Sequence, residues 1–356
     1  MTQRIFDGHN DALLRLSRKD RTGAIFLGEG NDGHIDLGRA ARGGMTGGIF
    51  ATFVPPESTD RASADMRQTM PDGSTGVPDI QREGQQRALA VTLAQLAIAL
   101  RIERKSAGAV RICRTPAEVE AANADDAFAM MLHMEGAEAI GPDLDELEVL
   151  YSCGMRSLGL VWSRPTIFGH GVPFRFPATP DIGEGLTERG LALVKSCNQL
   201  GIMVDCSHLN EKGFWDVTRH SQAPVVATHS NAHTICPVSR NLTDAQMDAI
   251  RDSEGVVGLN FATFFLREDG KRIAATPLET MTRHLDHMLN KLGPKGVALG
   301  SDFDGALVPV GIGDAAGLPN LVAAMRVSGY DDALIDAICY RNWLSVLART
   351  QSCATL

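Results

Sequence analysis

The chain has 356 residues, 44% of them hydrophobic and 22% charged, with a formal net charge of −9. That length allows one large core or two ordinary ones, and the acidic balance, with no basic run or aromatic-interleaved basic stripe, argues against a nucleic-acid partner. No apolar stretch reaches membrane-span length, the start MTQRIFDGHND lacks the regions of a secretory leader, and the end QSCATL carries no hydrophobic anchor, so no membrane association is expected. Seven cysteines without a CxxC pair or a regular framework fit a reducing compartment, and the expected location is the cytoplasm.

In chain order, short apolar runs recur at 4–9, 48–54, 127–135, 157–162, 201–208, 224–229, 255–261 and 297–302, most of them ending on a polar or charged residue. Helical patterns lie between them at about 80–105, 187–200, 210–220, 243–253, 277–292 and 330–349. Asp79 and Thr187 stand where N-caps belong, and Leu193, Cys197 and Leu200 share one helical face. Alternating strands and helices with crossovers as short as that from His208 to His229 predict a parallel sheet, and eight such strands predict a (β/α)₈ TIM barrel of the metal-dependent amidohydrolase type. Two polar stretches break the rhythm, at about 17–36 and 55–79; both follow strand ends, where they form either surface insertions or a lid at the catalytic rim. With no linker or internal repeat, residues 1–356 read as a single domain.

The chemistry sits at the strand ends. His9 and Asp11 close the first run, Glu135 the third, His208 the fifth, His229 the sixth and Asp302 the eighth. A lone buried histidine or aspartate is more often a satisfied core residue than a ligand, but this set gathers on the face where barrels place catalysis. Residues two apart on a strand point the same way, so His9 and Asp11 can reach one ion, although their N-D step also suits a polar turn. A carboxylate can bridge two cations where an imidazole cannot. The expected arrangement is one metal on His9, Asp11 and Glu135 and another on Glu135, His208 and His229, two divalent ions that would activate water and polarise a carbonyl. His133 shares the face of Glu135 and reads equally as support for it or as a layer residue inside the barrel. Cys206 reads as a buried thiol, and His284 and His287 as surface or packing residues.

The motifs GHND at 8–11, EG at 135–136, DCSH at 205–208, ATHSNA at 227–232, SRN at 239–241 and SDFDG at 301–305 occur in one order. In these the chain resembles the membrane (renal) dipeptidase family of zinc metallopeptidases, as a bacterial-type member without leader or anchor. The resemblance implies a barrel with a binuclear zinc site that hydrolyses dipeptides, and its metal ligands fall on the five residues reached above. It places the substrate-binding arginine on Arg240 and the catalytic aspartate on Asp302, with Glu135 bridging the metals. It also implies tolerance of D-configured C-terminal residues. A substrate-contacting histidine of better-known members aligns with Trp162, and His170, eight residues on, either takes its place or is a loop histidine. The implied partner is a small dipeptide, and a homodimer stays open.

In the implied mechanism Asp302 takes a proton from water and returns it to the leaving amine, while Arg240 holds the free carboxylate. Without the resemblance, Arg240 would be expected to pair with Asp244 or Asp248. Two rivals remain. Another metal-dependent amidohydrolase, such as an N-acyl-amino-acid deacylase, would open with His-x-His and place a lysine after the fourth strand, where this chain has His-x-Asp and LVWSRP. A non-catalytic metabolite-binding barrel would be expected to lack a ligand, and none is missing.

Overall fold

The eight apolar runs fold as parallel strands: β1 (Ile5–Asn10), β2 (Met45–Phe53), β3 (Phe128–Glu135), β4 (Met155–Gly159), β5 (Met203–Asp205), β6 (Val226–Ala227), β7 (Val256–Leu259) and β8 (Val297–Leu299). The computed structural model describes residues 3–28, 32–56 and 84–354, together with the backbone of two short strands at 68–69 and 75–76. The strands pair in sequence order from β1 to β8. The ring closes where Asp302 N donates to His9 O at 3.0 Å and Asp11 N to Phe303 O at 2.8 Å. Every residue of β1 and of β3 is buried, as expected of parallel strands covered on both faces.

Helices cover the outside, and their starts follow local chemistry. Thr187 caps Glu188–Leu200 by accepting from Gly190 N, Asn210 caps Glu211–His220 in the same way, and Thr243 and Gln246 form a reciprocal capping box at Asp244–Asp252. The main core lies between these helices and the sheet. A second cluster gathers Phe6, Ile49, Met131, Met203, Val226, Val256 and Ala298, one from each of seven barrel strands, with Trp343. Residues on opposite strands can meet only inside the ring, so this cluster fills the barrel interior. The Trp343 indole N–H donates to Leu299 O at 2.8 Å, tying the last helix (Asn342–Ser352) to β8.

Several expectations need correction. The strands stop short of the apolar runs, leaving Trp162, His208, His229 and Asp302 in the loops just beyond them. The pattern at 330–349 is helical from Asp332 to Ser352, with a π-helical turn at Ala337–Arg341 set into it. The first long helix runs from Gln85 to Lys105 after Gly84, while Asp79 lies outside the described residues, as does nearly all of 55–79. Of the 17–36 stretch, Ala24–Leu27 is a short helix. The segment is pinned to the loop after β8, because Asp304 accepts from His34 N at 2.6 Å and from Arg15 Nε at 3.0 Å.

Candidate metal centre

β1 delivers His9 into the barrel mouth, and Asp11 follows one residue beyond the strand. Asp11 occupies the N-cap position of the helix Ala12–Lys19 but makes no capping hydrogen bond, so its carboxylate is not spent on a polar turn. Glu135 ends β3, and Gly136 turns the chain at once with φ 88°; a Cβ there would meet the Glu138 carboxylate at 2.4 Å. His208 and His229 sit in the first turns after β5 and β6. All five are at least 95% buried.

Their ligating atoms converge. Glu135 Oε1 lies 2.9 Å from His208 Nε2, 3.5 Å from His229 Nε2 and 3.7 Å from His9 Nε2, and His9 Nε2 is 3.9 Å from Asp11 Oδ2. The His208 and His229 Nε2 atoms stand 3.1 Å apart, and the His9 and His229 rings stack at 3.6 Å. The groupings His9–Asp11–Glu135 and Glu135–His208–His229 each bring three ligand atoms within 4.8 Å of one another.

The donor set fits divalent cations. His9 Nε2 and Asp11 Oδ1 are buried with no hydrogen-bond partner, a cost that a cation would remove. Burial pushes the Glu135 and Asp11 carboxyls well above the usual carboxylate range, and the nearby charge of Asp302 adds to both. Burial holds His9, His208 and His229 well below the usual imidazole range, so each is neutral with a lone pair to give. Crowded carboxylates beside neutral imidazoles are matched by positive charge placed among them.

Behind the ligands lies a layer that the sequence did not disclose. Asp205 Oδ2 accepts from Thr228 Oγ1 at 2.6 Å, and Thr228 Oγ1 lies 2.8 Å from His229 Nδ1. Because the threonine proton goes to the carboxylate, its lone pair takes the His229 Nδ1 proton, which leaves Nε2 unprotonated and facing Glu135. Asp205 also groups with His9 and His229 by distance, but its Oδ1 accepts from Ser207 N at 3.0 Å, Ser207 Oγ at 2.5 Å and Thr228 N at 2.8 Å. It is a support for the site, and its only sequence signal was its place in DCSH. Ser163 Oγ stands 2.8 Å from His208 Nδ1 and His133 Nδ1 2.9 Å from Ser157 Oγ. Buried Arg164 pairs with Glu138 at 2.6 Å and donates to Val54 O at 2.6 Å, lashing together the loops after β2, β3 and β4. His284 is a packing residue: its Nδ1 accepts from Ala232 N at 3.1 Å and its Nε2 donates to Leu266 O at 2.9 Å.

Asp302, Arg240 and Trp162 come to the same mouth. Asp302 is a non-glycine residue at φ 58°, held by Asn260 Nδ2 at 3.0 Å, and its packed surroundings raise its carboxyl to about 6. Its neighbour Gly305 approaches so closely that a Cβ would lie 2.1 Å from Asp11 Oδ2 and 2.4 Å from Asp302 Oδ1. Arg240 does not pair with Asp244 or Asp248. It turns inward, donating to Ser230 Oγ at 2.7 Å, His229 O at 3.0 Å and His208 Nδ1 at 3.2 Å, and burial lowers it to about 10. Trp162 is half-buried, its ring 6.0 Å from that of His208. The His170 carbonyl accepts from Asn210 N at 3.2 Å, two residues beyond His208.

The family model described as membrane dipeptidase, peptidase family M19, matches residues 1–355. A crystal structure of a metallopeptidase from Rhodobacter sphaeroides, liganded with a phosphinate mimic of the dipeptide L-Ala-D-Ala, is 52% identical with a TM-score of 0.94, covering 98% of this chain and 100% of that one. A structure described as dipeptidase AC is 52% identical with a TM-score of 0.94, covering 99% of each chain. A Klebsiella pneumoniae protein described as uncharacterized, in the pqqA 5′ region, is 49% identical over 253 residues, 71% of this chain and 93% of its own length. Among the described residues no helix is long and apolar enough to cross a membrane.

Proposed function

The chain belongs to the membrane dipeptidase family, peptidase family M19, whose members are metal-dependent hydrolases of peptide bonds, and from that premise we propose that it cleaves free dipeptides with two divalent cations, zinc being the expected ion. The observation that carries this reading is the convergence of three buried imidazoles, His9, His208 and His229, on Glu135 Oε1, with Asp11 beside His9 and orphaned atoms on both His9 and Asp11. His9, Asp11 and Glu135 would hold one ion, and Glu135, His208 and His229 the other. Bound there, divalent cations supply a Lewis acid and a water of lowered pKa.

The chain's own groups do the rest. Asp302, standing beside Asp11 with a carboxyl raised to about 6, can take a proton from water and return it to the leaving amine nitrogen, which leaves poorly unless protonated. Asn260 holds its other oxygen, so one carboxylate edge stays aimed at the reaction. Arg240 presents a guanidinium against the ligand shell, placed to take the free carboxylate of a dipeptide in exchange for its present partners. Trp162 would border the substrate beside His208, while His170 would contribute at most a loop position. The mimic bound by the Rhodobacter relative supports acceptance of a D-configured C-terminal residue. Seven cysteines that form no disulfide among the described residues, five of them buried, support the cytoplasm as the location.

Elemental analysis with a substrate panel tests the proposal. Two ions per chain and hydrolysis of a dipeptide in preference to its C-terminal amide are expected. One ion at full activity would remove the two-cation scheme. Equal cleavage of acid and amide would remove the carboxylate clamp, and cleavage of N-acyl amino acids alone would make the protein a deacylase.

A further inference from the structure

A set of aromatic rings flanks the centre beside His208 and Arg240, and of these the chemistry above uses Trp162 alone. The Phe174 ring lies 6.2 Å from that of His208 and 5.7 Å from that of Phe265, and the Arg240 guanidinium stands 5.7 Å over Phe265. Trp162 continues the wall, 5.6 Å from Phe174 and 5.0 Å from Phe53. Behind it Cys236, Val238, Ala262 and Phe264 form, with Phe265, a small apolar cluster separate from both the main core and the barrel interior. Phe174 and Trp162 are only half-buried, so each keeps a face that this cluster does not cover.

The wall spans the two anchors that fix a dipeptide's C-terminal residue. In the binding mode proposed above its carboxylate would sit on Arg240, and its nitrogen would belong to the bond cleaved beside His208 and Glu135. The α-carbon bonded to both must then lie between those anchors, and its side chain within reach of the aromatic faces beside them. The N-terminal residue lies beyond the scissile carbonyl and has no such constraint. We propose that Phe174, with Phe265 and Trp162, forms an apolar subsite for the side chain of the C-terminal residue, so that dipeptides ending in a large hydrophobic or aromatic residue are the favoured class. The inference rests on the dipeptidase reading and adds a side-chain preference to it.

Two matched series test it: Ala-Ala, Ala-Leu and Ala-Phe vary the C-terminal side chain, and Leu-Ala and Phe-Ala vary the N-terminal one. kcat/KM for the unmodified protein should rise roughly tenfold or more from Ala-Ala to Ala-Phe, the scale on which apolar pockets discriminate. In Phe174→Ala the ratio of Ala-Phe to Ala-Ala should collapse towards one while the ratio of Phe-Ala to Ala-Ala holds. Phe174→Leu, which keeps an apolar wall without the ring, should retain an intermediate ratio and serves if the alanine variant does not fold. A ratio that stays the same in both variants, or a loss shared equally by the two series, overturns the subsite. If the unmodified, metal-loaded protein cleaves no dipeptide, the dipeptidase reading falls first; if it cleaves all of them without regard to the C-terminal side chain, only the subsite falls.

Discussion

Adding one methyl group at Gly305 should separate catalysis from folding. A Cβ there would lie 2.1 Å from Asp11 Oδ2 and 2.4 Å from Asp302 Oδ1, so both oxygens must retreat by roughly 1 Å to reach ordinary contact. Those atoms are the tips of two side chains rather than backbone, and Gly305 is itself exposed, so the fold can absorb the change. Alanine also restricts the unfolded chain, a gain of about 0.4–1 kcal/mol that offsets part of the crowding. The expected shift in Tm is therefore no more than about 3 °C either way. Function has no such latitude, because the same displacement reaches a candidate ligand and the proposed proton carrier together, and a misplacement of about 1 Å can cost roughly 10²-fold. Gly305→Ala, followed by dipeptide kcat/KM, metal content and thermal melting, should lose about two orders of magnitude in kcat/KM with the melt nearly unmoved. A variant that melts normally and turns over at the parent rate would refute the account of Asp11 and Asp302 as one crowded, position-sensitive pair.

Asp302→Asn should keep its metal while kcat falls roughly 10²- to 10⁴-fold; loss of metal in elemental analysis would instead make Asp302 a ligand or a prop for one. Thr228→Val removes the acceptor for the His229 Nδ1 proton without changing side-chain shape, and chelator competition should show affinity for the divalent ion reduced roughly 10- to 100-fold. Thr228→Ser should restore that affinity, and parent-like binding by the valine variant would dismiss the Asp205–Thr228 support. His284, buried and lowered to about 4, stays neutral in the folded protein while an unfolded imidazole protonates near 6.5. Its share of stability is thus complete above about pH 6.5 and is lost as pH falls towards 4, about 3 kcal/mol in all. His284→Gln should flatten urea midpoints across that window, and an equally steep fall in the variant would assign the acid sensitivity elsewhere.

What could be read beforehand followed from periodicity. Residues two apart on a strand share a face, so His9 and Asp11 announced a joint site, and Glu135, His208 and His229 stood out because each ends an apolar run. The supporting layer had no comparable signature. Asp205 meets Thr228 across 23 residues and Ser163 meets His208 across 45, pairings that exist only once neighbouring strands align. Local charge spacing pointed Arg240 at Asp244, yet Asp244 pairs with His287 at 2.7 Å and with Lys291 at 3.2 Å. A tertiary choice overrode a local one. The strand Val110–Ile112, which pairs with β3, is three residues long, too short for any period to show. The π-helical turn at Ala337–Arg341 escaped for a different reason: AICYR lies between ordinary helical turns and holds no glycine or proline to mark a change.

The join between β1 and β8 has a consequence for how the protein comes into being. Ser301 N–H donates to Asp7 Oδ1 across 294 positions of sequence, at 2.7 Å, so the first and last strands can meet only after nearly all the chain exists. A nascent polypeptide that has emerged as far as β6 already carries His9, Asp11, Glu135, His208 and His229, but neither Asp302 nor the strand that completes the ring. Such long-range closure is slow and comes late in folding. During synthesis all five candidate ligands are therefore made before the ring can close, and the proposed proton carrier joins them only when the final strand docks.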